Sequence, residues 1–244
     1  MGHFARRAIV TDGLVFQIDA ANNLCGNVTD AKNIVNPTEI GSFENISTPP
    51  ATSVIDNAYS FDGVDDYIDI TNILPSLETN PTGSVELWVS IESLTGATGY
   101  VLWSFTNSGG PPDYYLACSI RSDGNIRFRN VDSSFINWDM DSTTAPIILG
   151  QMNQIVLTQG GVRPYLYLNG QLLNTTISGN LYSHWFSGFG VGTLNSALLG
   201  ALEINSNGLS NFLPGDISSM KIYNKALTQA EITQNYEVQK HKYL

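Results

Sequence analysis

At 244 residues the chain is long enough to hide roughly 70–75% of its unfolded surface, so it folds without needing a disulfide framework or a metal, as one large β domain or two smaller ones. Its 11 Lys and Arg against 22 Asp and Glu give a net charge of −11, which argues against nucleic acid and anionic membrane as partners because both are polyanions. Only 14% of residues are charged, and a surface made polar by Asn, Ser, Thr and Gly suits neutral polar ligands or closely packed protein neighbours.

Residues 1–8 read as an N-terminal arm, and residues 9–244 as one domain. Arg6-Arg7 is followed by no apolar run of signal-peptide length, and no segment approaches the roughly 20 apolar residues of a membrane span. The expectation is a protein made in the cytosol without a standard export signal. On that route the Asn-X-Ser/Thr triplets at Asn27, Asn45 and Asn174 carry no meaning. Cys25 and Cys118 lie far apart, and free thiols are expected.

Leu14, Phe16 and Ile18 alternate with Val15, Gln17 and Asp19, predicting a first strand over Gly13–Ala20. Asn22–Ser53, rich in Asn, Thr, Gly and Pro, reads as a long connection holding one or two short strands. Tyr59-Ser60-Phe61 and Tyr67-Ile68-Asp69-Ile70 flank Asp62-Gly63-Val64-Asp65-Asp66, giving strand, turn, strand. Gly83–Glu92 alternates cleanly: Val85, Leu87, Val89 and Ile91 form a face that must be buried, while Glu86, Trp88 and Ser90 stand opposite. Strands follow at Tyr100–Phe105, Tyr114–Ile120 and Ile126–Val131, the last carrying Arg127 and Arg129 on one face. Asp123-Gly124 and Asn169-Gly170 are hairpin signals, with further strands at Gln154–Gln159, Pro164–Leu173 and Asp216–Tyr223. Thr228-Gln229-Ala230-Glu231 forms a capping box that opens a helix over about 227–240. Many short strands and one terminal helix predict an all-β, two-sheet antiparallel β-sandwich.

Phe61-Asp62-Gly63-Val64-Asp65-Asp66-Tyr67-Ile68 resembles the most recognisable segment of the laminin-G-like jelly rolls in the concanavalin A-like lectin and glucanase superfamily. Three further segments resemble that family in the expected order: Gly13 to Ala20, Tyr165 to Gly170, and Gly215-Asp216-Ile217 through Ile222 to Leu227. The resemblance spans nearly the whole chain and implies a jelly roll with a C-terminal helix. Gly13 to Asn22, the Phe-Asp-Gly-Val-Asp-Asp-Tyr block and the ending Glu231 to Tyr236 are similar to laminin-G-like proteins of marine bacteriophages. That likeness implies a structural protein of a virion.

Site chemistry is sparse. His184 is the one histidine away from the ends, and among Tyr182, Trp185 and Phe186 it reads as a packed residue. Glucanases need two or three carboxylates at alternating positions of one strand, with acid and nucleophile about 5–5.5 Å apart. The comparable strand offers Glu86, then Trp88 and Ser90. The expectation is therefore not an enzyme. Asp62, Asp65 and Asp66 crowd into five residues, either as ligands for calcium, a hard cation wanting six to eight oxygens, or as side chains that fix the turn through backbone N–H groups. The resemblance also implies calcium, which many laminin-G-like and pentraxin-like members hold at a loop edge. For carbohydrate, which stacks on aromatic rings and hydrogen-bonds to polar neighbours, the candidates are Glu86 and Trp88 on a groove floor with Tyr114 and Trp138 at the surface.

The combined expectation is a non-enzymatic virion surface protein, in a capsid decoration or a tail or fibre, that binds host-surface glycans and assembles with other virion proteins or copies of itself in the host cytoplasm. The alternatives are a secreted or cell-surface carbohydrate-binding adhesion module and, behind it, a glycoside hydrolase.

Overall fold

The computed structural model describes residues 8–22, 24–25, 30–46, 58–95, 99–204 and 207–243. The expected arm as far as residue 7 and the triplet at Asn27 lie outside them. In chain order, β1 (Leu14–Asp19), β2 (Asp30–Lys32), β3 (Ile40–Glu44), β4 (Tyr59–Asp62) and β5 (Tyr67–Asp69) precede a 3-10 turn (Thr71–Ile73) and the one-turn helix α1 (Leu74–Leu77). Next come β6 (Gly83–Ile91), β7 (Tyr100–Thr106), β8 (Tyr115–Ile120), β9 (Ile126–Asp132), β10 (Phe135–Ser142), β11 (Asn153–Gln159), β12 (Pro164–Leu168), β13 (Gln171–Leu172) and β14 (Thr175–Gly179). The short α2 (Phe186–Phe189), β15 (Ser196–Leu199), β16 (Leu202–Glu203), β17 (Leu209–Ser210), β18 (Pro214–Tyr223) and the terminal α3 (Gln229–Tyr243) complete the chain.

These strands form a jelly-roll β-sandwich of two large antiparallel sheets. The first sheet has the order β1-β18-β6-β11-β12-β13, with β4 also on β18. The ten-residue β18 serves two partners along one edge: its first half pairs with β4 (Ile217 opposite Tyr59) and its second half with β1 (Met220 opposite Ile18). The second sheet runs β14-β10-β9-β8-β7-β15-β5-β3-β2. β4 and β5 therefore belong to different sheets, and the Asp62–Asp66 turn carries the chain across the sandwich edge.

Period-two alternation puts one side chain in two between the sheets. Val85, Leu87, Val89 and Ile91 from β6 meet Leu116, Cys118, Ile120, Phe128, Trp138 and Met140 from the second sheet in one continuous core. Both cysteines are buried free thiols, and burial pushes the Cys25 thiol up to about 12, far from the reactive thiolate range. At the β12–β13 turn Asn169 and Gly170 both take positive φ, 49° and 77°, the conformation that makes Asn-Gly a hairpin signal.

The outer face of the first sheet is covered by α3. Thr228 and Glu231 cap its start: the Thr228 N–H donates to Glu231 Oε2 at 2.8 Å and the Glu231 N–H to Thr228 Oγ1 at 3.3 Å. Ile232 packs with Val10, Val156, Tyr167, Tyr223 and Leu227. At the far end, Lys242 Nζ donates to both carboxylate oxygens of Asp19 on β1, at 2.7 and 2.6 Å. The start of the described chain runs along the same helix, with Gln234 Nε2 donating to the Ala8 carbonyl at 2.8 Å. Among the described residues no helix is long and apolar enough to cross a membrane.

Candidate functional site

The outer face of the second sheet is bridged by a ribbon, β16 paired with β17. Leu202 and Ile204 of this ribbon pack on Tyr115, Ala117 and Val131. Alternation along the ribbon turns Glu203 the other way, so a hollow of different character lies on each side. One hollow, of about 220 Å³, has Val101, Tyr115, Ala117, Ser119, Arg127 and Arg129 on its floor and Leu202, Ile204 and Asn211 on its wall. The other, of about 200 Å³, is bounded by Tyr67, Asp69, Ser108, Asn195, Glu203 and Leu209.

The first hollow is basic in an acidic protein. Three of the four arginines among the described residues, Arg121, Arg127 and Arg129, stand on or beside β9. Arg127 grips Asp139 of β10 with both Nε, at 2.8 Å, and Nη2, and that hydrogen bond holds its guanidinium above the ordinary arginine value. Arg129 approaches the same carboxylate, with Nε 3.3 Å from Oδ2, but out of line for a hydrogen bond, so this buried N–H has no partner. Two guanidinium groups thus share the Asp139 carboxylate, while Asp141, opposite Arg127, pairs with Arg121 at 3.4 Å. Burial raises the Tyr115 phenol above its usual value while Arg129 and Arg127 pull it down, so it stays a neutral donor. A floor with two partly exposed guanidinium groups beside a Leu-Ile wall can hold a small anion bearing an apolar face.

The acidic turn lies at the sandwich edge. Asp62 Oδ1 accepts the Val64 N–H at 2.7 Å, and Asp66 Oδ2 accepts the Asp62 N–H at 2.9 Å. Gly63 supplies the required positive φ of 78°. Turn fixing uses only part of the acid set: carboxylate oxygens of Asp62, Asp65 and Asp66 lie within 4.8 Å of one another, and the buried Asp66 Oδ1 has no hydrogen-bond partner. Burial, then the charges of Asp62 and Asp65, raise the Asp66 carboxyl above its ordinary value, against the pull of its backbone hydrogen bond. Three hard oxygen donors and an uncompensated buried oxygen fit a calcium ion.

A family model described as the concanavalin A-like lectin/glucanases superfamily, Laminin_G_3, matches residues 62–233. The chain belongs to this family. Among solved structures it is similar to a Trypanosoma rangeli sialidase in complex with sialic acid, at TM-score 0.66 and 16% identity over 96% of this chain and 34% of that one. NanB sialidase from Streptococcus pneumoniae superposes with TM-score 0.60 at 17% identity, over 72% of this chain and 27% of that chain. The CBM40 of a Ruminococcus gnavus IT-sialidase does so at 0.59 and 16%, over 72% and 95% respectively. The chain spans about a third of the length of the Trypanosoma rangeli sialidase, and at these identities the likeness is one of fold. No curated protein matches the sequence.

Three of the four carbohydrate candidates are inaccessible in this laminin-G jelly roll. Glu86 and Trp88 have no exposed surface, because the side of β6 expected to floor a groove is the side that α3 covers. Glu86 is held by Lys221, Nζ to Oε1 at 3.0 Å. Trp88 stacks on Tyr236 of α3, ring planes 4° apart and centroids 5.7 Å. Trp138, expected at the surface, is wholly buried, its Nε1 donating to the His184 carbonyl at 3.1 Å; it belongs to β10, whose alternation turns Trp138 and Met140 inward. Tyr114 remains partly exposed, its hydroxyl taking a hydrogen bond from Ser133 Oγ at 3.2 Å. His184 is packed, edge-on to Phe189 and 3.0 Å from Asp132. The basic floor was half visible in the shared face of Arg127 and Arg129. The ribbon wall, two strands of two residues each, leaves no periodic signal.

Proposed function

We propose that the chain is a non-enzymatic carbohydrate-binding jelly roll on a virion surface, and that its ligand is an acidic glycan of the host seated in the basic hollow. The observation that carries this reading is the Arg127–Arg129 pair over a single carboxylate, Asp139, beside the wall of Leu202 and Ile204. A sugar carboxylate would pair with the exposed part of the Arg129 guanidinium, and the apolar face of the ring would lie against the wall. The fold likeness to a sialidase bound to sialic acid and to a sialidase CBM40 supports an acidic sugar. The virion setting is supported by the similarity of the Phe61–Ile68 block and its flanking segments to laminin-G-like bacteriophage proteins. The non-catalytic part is supported by Glu86, which is locked in an ion pair beneath α3.

We further assign Asp62, Asp65 and Asp66 to calcium, as an edge site separate from the hollow. A glycan array carrying neutral and acidic sugars, probed with and without calcium, tests the ligand. Binding confined to acidic glycans and lost in Arg129→Ala is expected, and a blank array under both conditions overturns it. Sedimentation showing a strict monomer that joins no partner would count against the virion role.

A further inference from the structure

The sealed face of the first sheet holds a second constellation. A bulge at Ser218 sets the register between β18 and β6 so that Lys221 faces Glu86 directly. Asn235 of α3 closes over them, and Lys221, Glu86 and Asn235 have no exposed surface at all. Glu86 uses both oxygens. Oε1 accepts from Lys221 Nζ at 3.0 Å, and Oε2 accepts from Asn235 Nδ2 at 2.7 Å. The Asn235 carbonyl oxygen in turn accepts the Val10 N–H at 2.8 Å, and Nδ2 donates its other hydrogen to Tyr223 Oη at 2.9 Å. Gln239 Oε1, 3.0 Å from Nζ, steadies the ammonium.

An amine, a carboxamide and one carboxylate touching both are the parts of an amide exchange. We propose that Lys221 and Asn235 join in an intramolecular amide bond, with Glu86 as the catalytic proton carrier. Glu86 Oε1 takes a proton from the Lys221 ammonium, and the freed electron pair of Nζ bonds to Asn235 Cγ. Charge gathering on Oδ1 is met by the Val10 N–H, a backbone donor already in place. Glu86 gives its proton to Nδ2, the Cγ–Nδ2 bond breaks, and ammonia leaves. Glu86 then takes the surplus proton from the new amide nitrogen and stays a neutral acid. An ion pair and a carboxamide become an amide, a carboxylic acid and ammonia, so atoms and charge balance with no added reagent.

Two physical features drive the reaction. Desolvation penalises the ion pair, so a step that removes both charges is favoured in this site. Holding the amine and the carboxamide on the two oxygens of one carboxylate replaces a slow encounter in water by an intramolecular one. Every hydrogen bond that the mechanism uses is already formed in the folded chain.

The test is the mass of the full-length protein, measured intact after denaturation. The wild type is expected to weigh less than its sequence by one ammonia, and a digest is expected to contain a branched peptide linking β18 at Lys221 to α3 at Asn235. In Glu86→Gln the full sequence mass should return and the two peptides should separate. A wild-type chain of full mass overturns the proposal, as does ammonia loss without a branched peptide or a link to Gln239. Because the wild-type mass decides the matter, a variant that fails to fold does not rescue the proposal.

Discussion

The two outer faces of the sandwich are built from the same alternating strands and treated in opposite ways. On the first sheet, polar Glu86 and Lys221 are sealed with Trp88 under a helix whose own buried side is Ile232, Asn235 and Gln239. On the second, Arg127 and Arg129 stay half-covered beside a two-residue ribbon that leaves hollows on both sides. Charge is thus fully paired and dry on one face, and on the other it is left partly exposed, open to the acidic ligand proposed above.

The largest way to break this contrast is on the sealed face. Lys221→Ala or Glu86→Ala strands the other charge in the interior and should cost about 3–5 kcal/mol, seen as a lower denaturation midpoint. Arg129→Ala should do the reverse, leaving the midpoint nearly unchanged while weakening binding of an acidic glycan by about 1.5–3 kcal/mol, roughly ten- to a hundredfold in Kd. At the helix start, Thr228→Ala removes the hydroxyl that accepts the Glu231 N–H and should cost about 1 kcal/mol. The smallest effect belongs to the edge turn. The Asp66 carboxyl is raised in the fold by burial and by its acidic neighbours, so the folded chain holds a proton that the unfolded chain has released. Without calcium, stability should therefore rise as pH falls from the folded value towards the unfolded one. Added calcium or Asp66→Asn should flatten that rise, and thermal melts across acid pH check it.

The sandwich was legible because Val85, Leu87, Val89 and Ile91 spell an unbroken inward face and because Asn169-Gly170 and Asp123-Gly124 mark their turns. β10 was missed where those cues fail. It follows a turn at Ser133-Ser134, both at positive φ without Gly or Asn, and its outward residues are the acidic Asp139 and Asp141. The same β6 alternation that located the core left its other side ambiguous. A strand shows that Glu86 and Trp88 share a face, but only the tertiary position of α3 decides whether that face is wet. The helix itself was legible in its capping box, but not that it covers this face, since two of its three buried positions, Asn235 and Gln239, are carboxamides. What the site owes to pairing across strands, Arg127 and Arg129 against Asp139, has no footprint in the order of the residues.

The contacts of Ala8 and Val10 with α3, and of Lys242 with Asp19, bring both ends of the described chain to the rear of the sandwich. A linker, label or carrier joined at either end would emerge from that rear side and leave the arginine hollow pointing away from its support. An immobilised copy would then present the face with the arginine hollow outward whichever described end holds it.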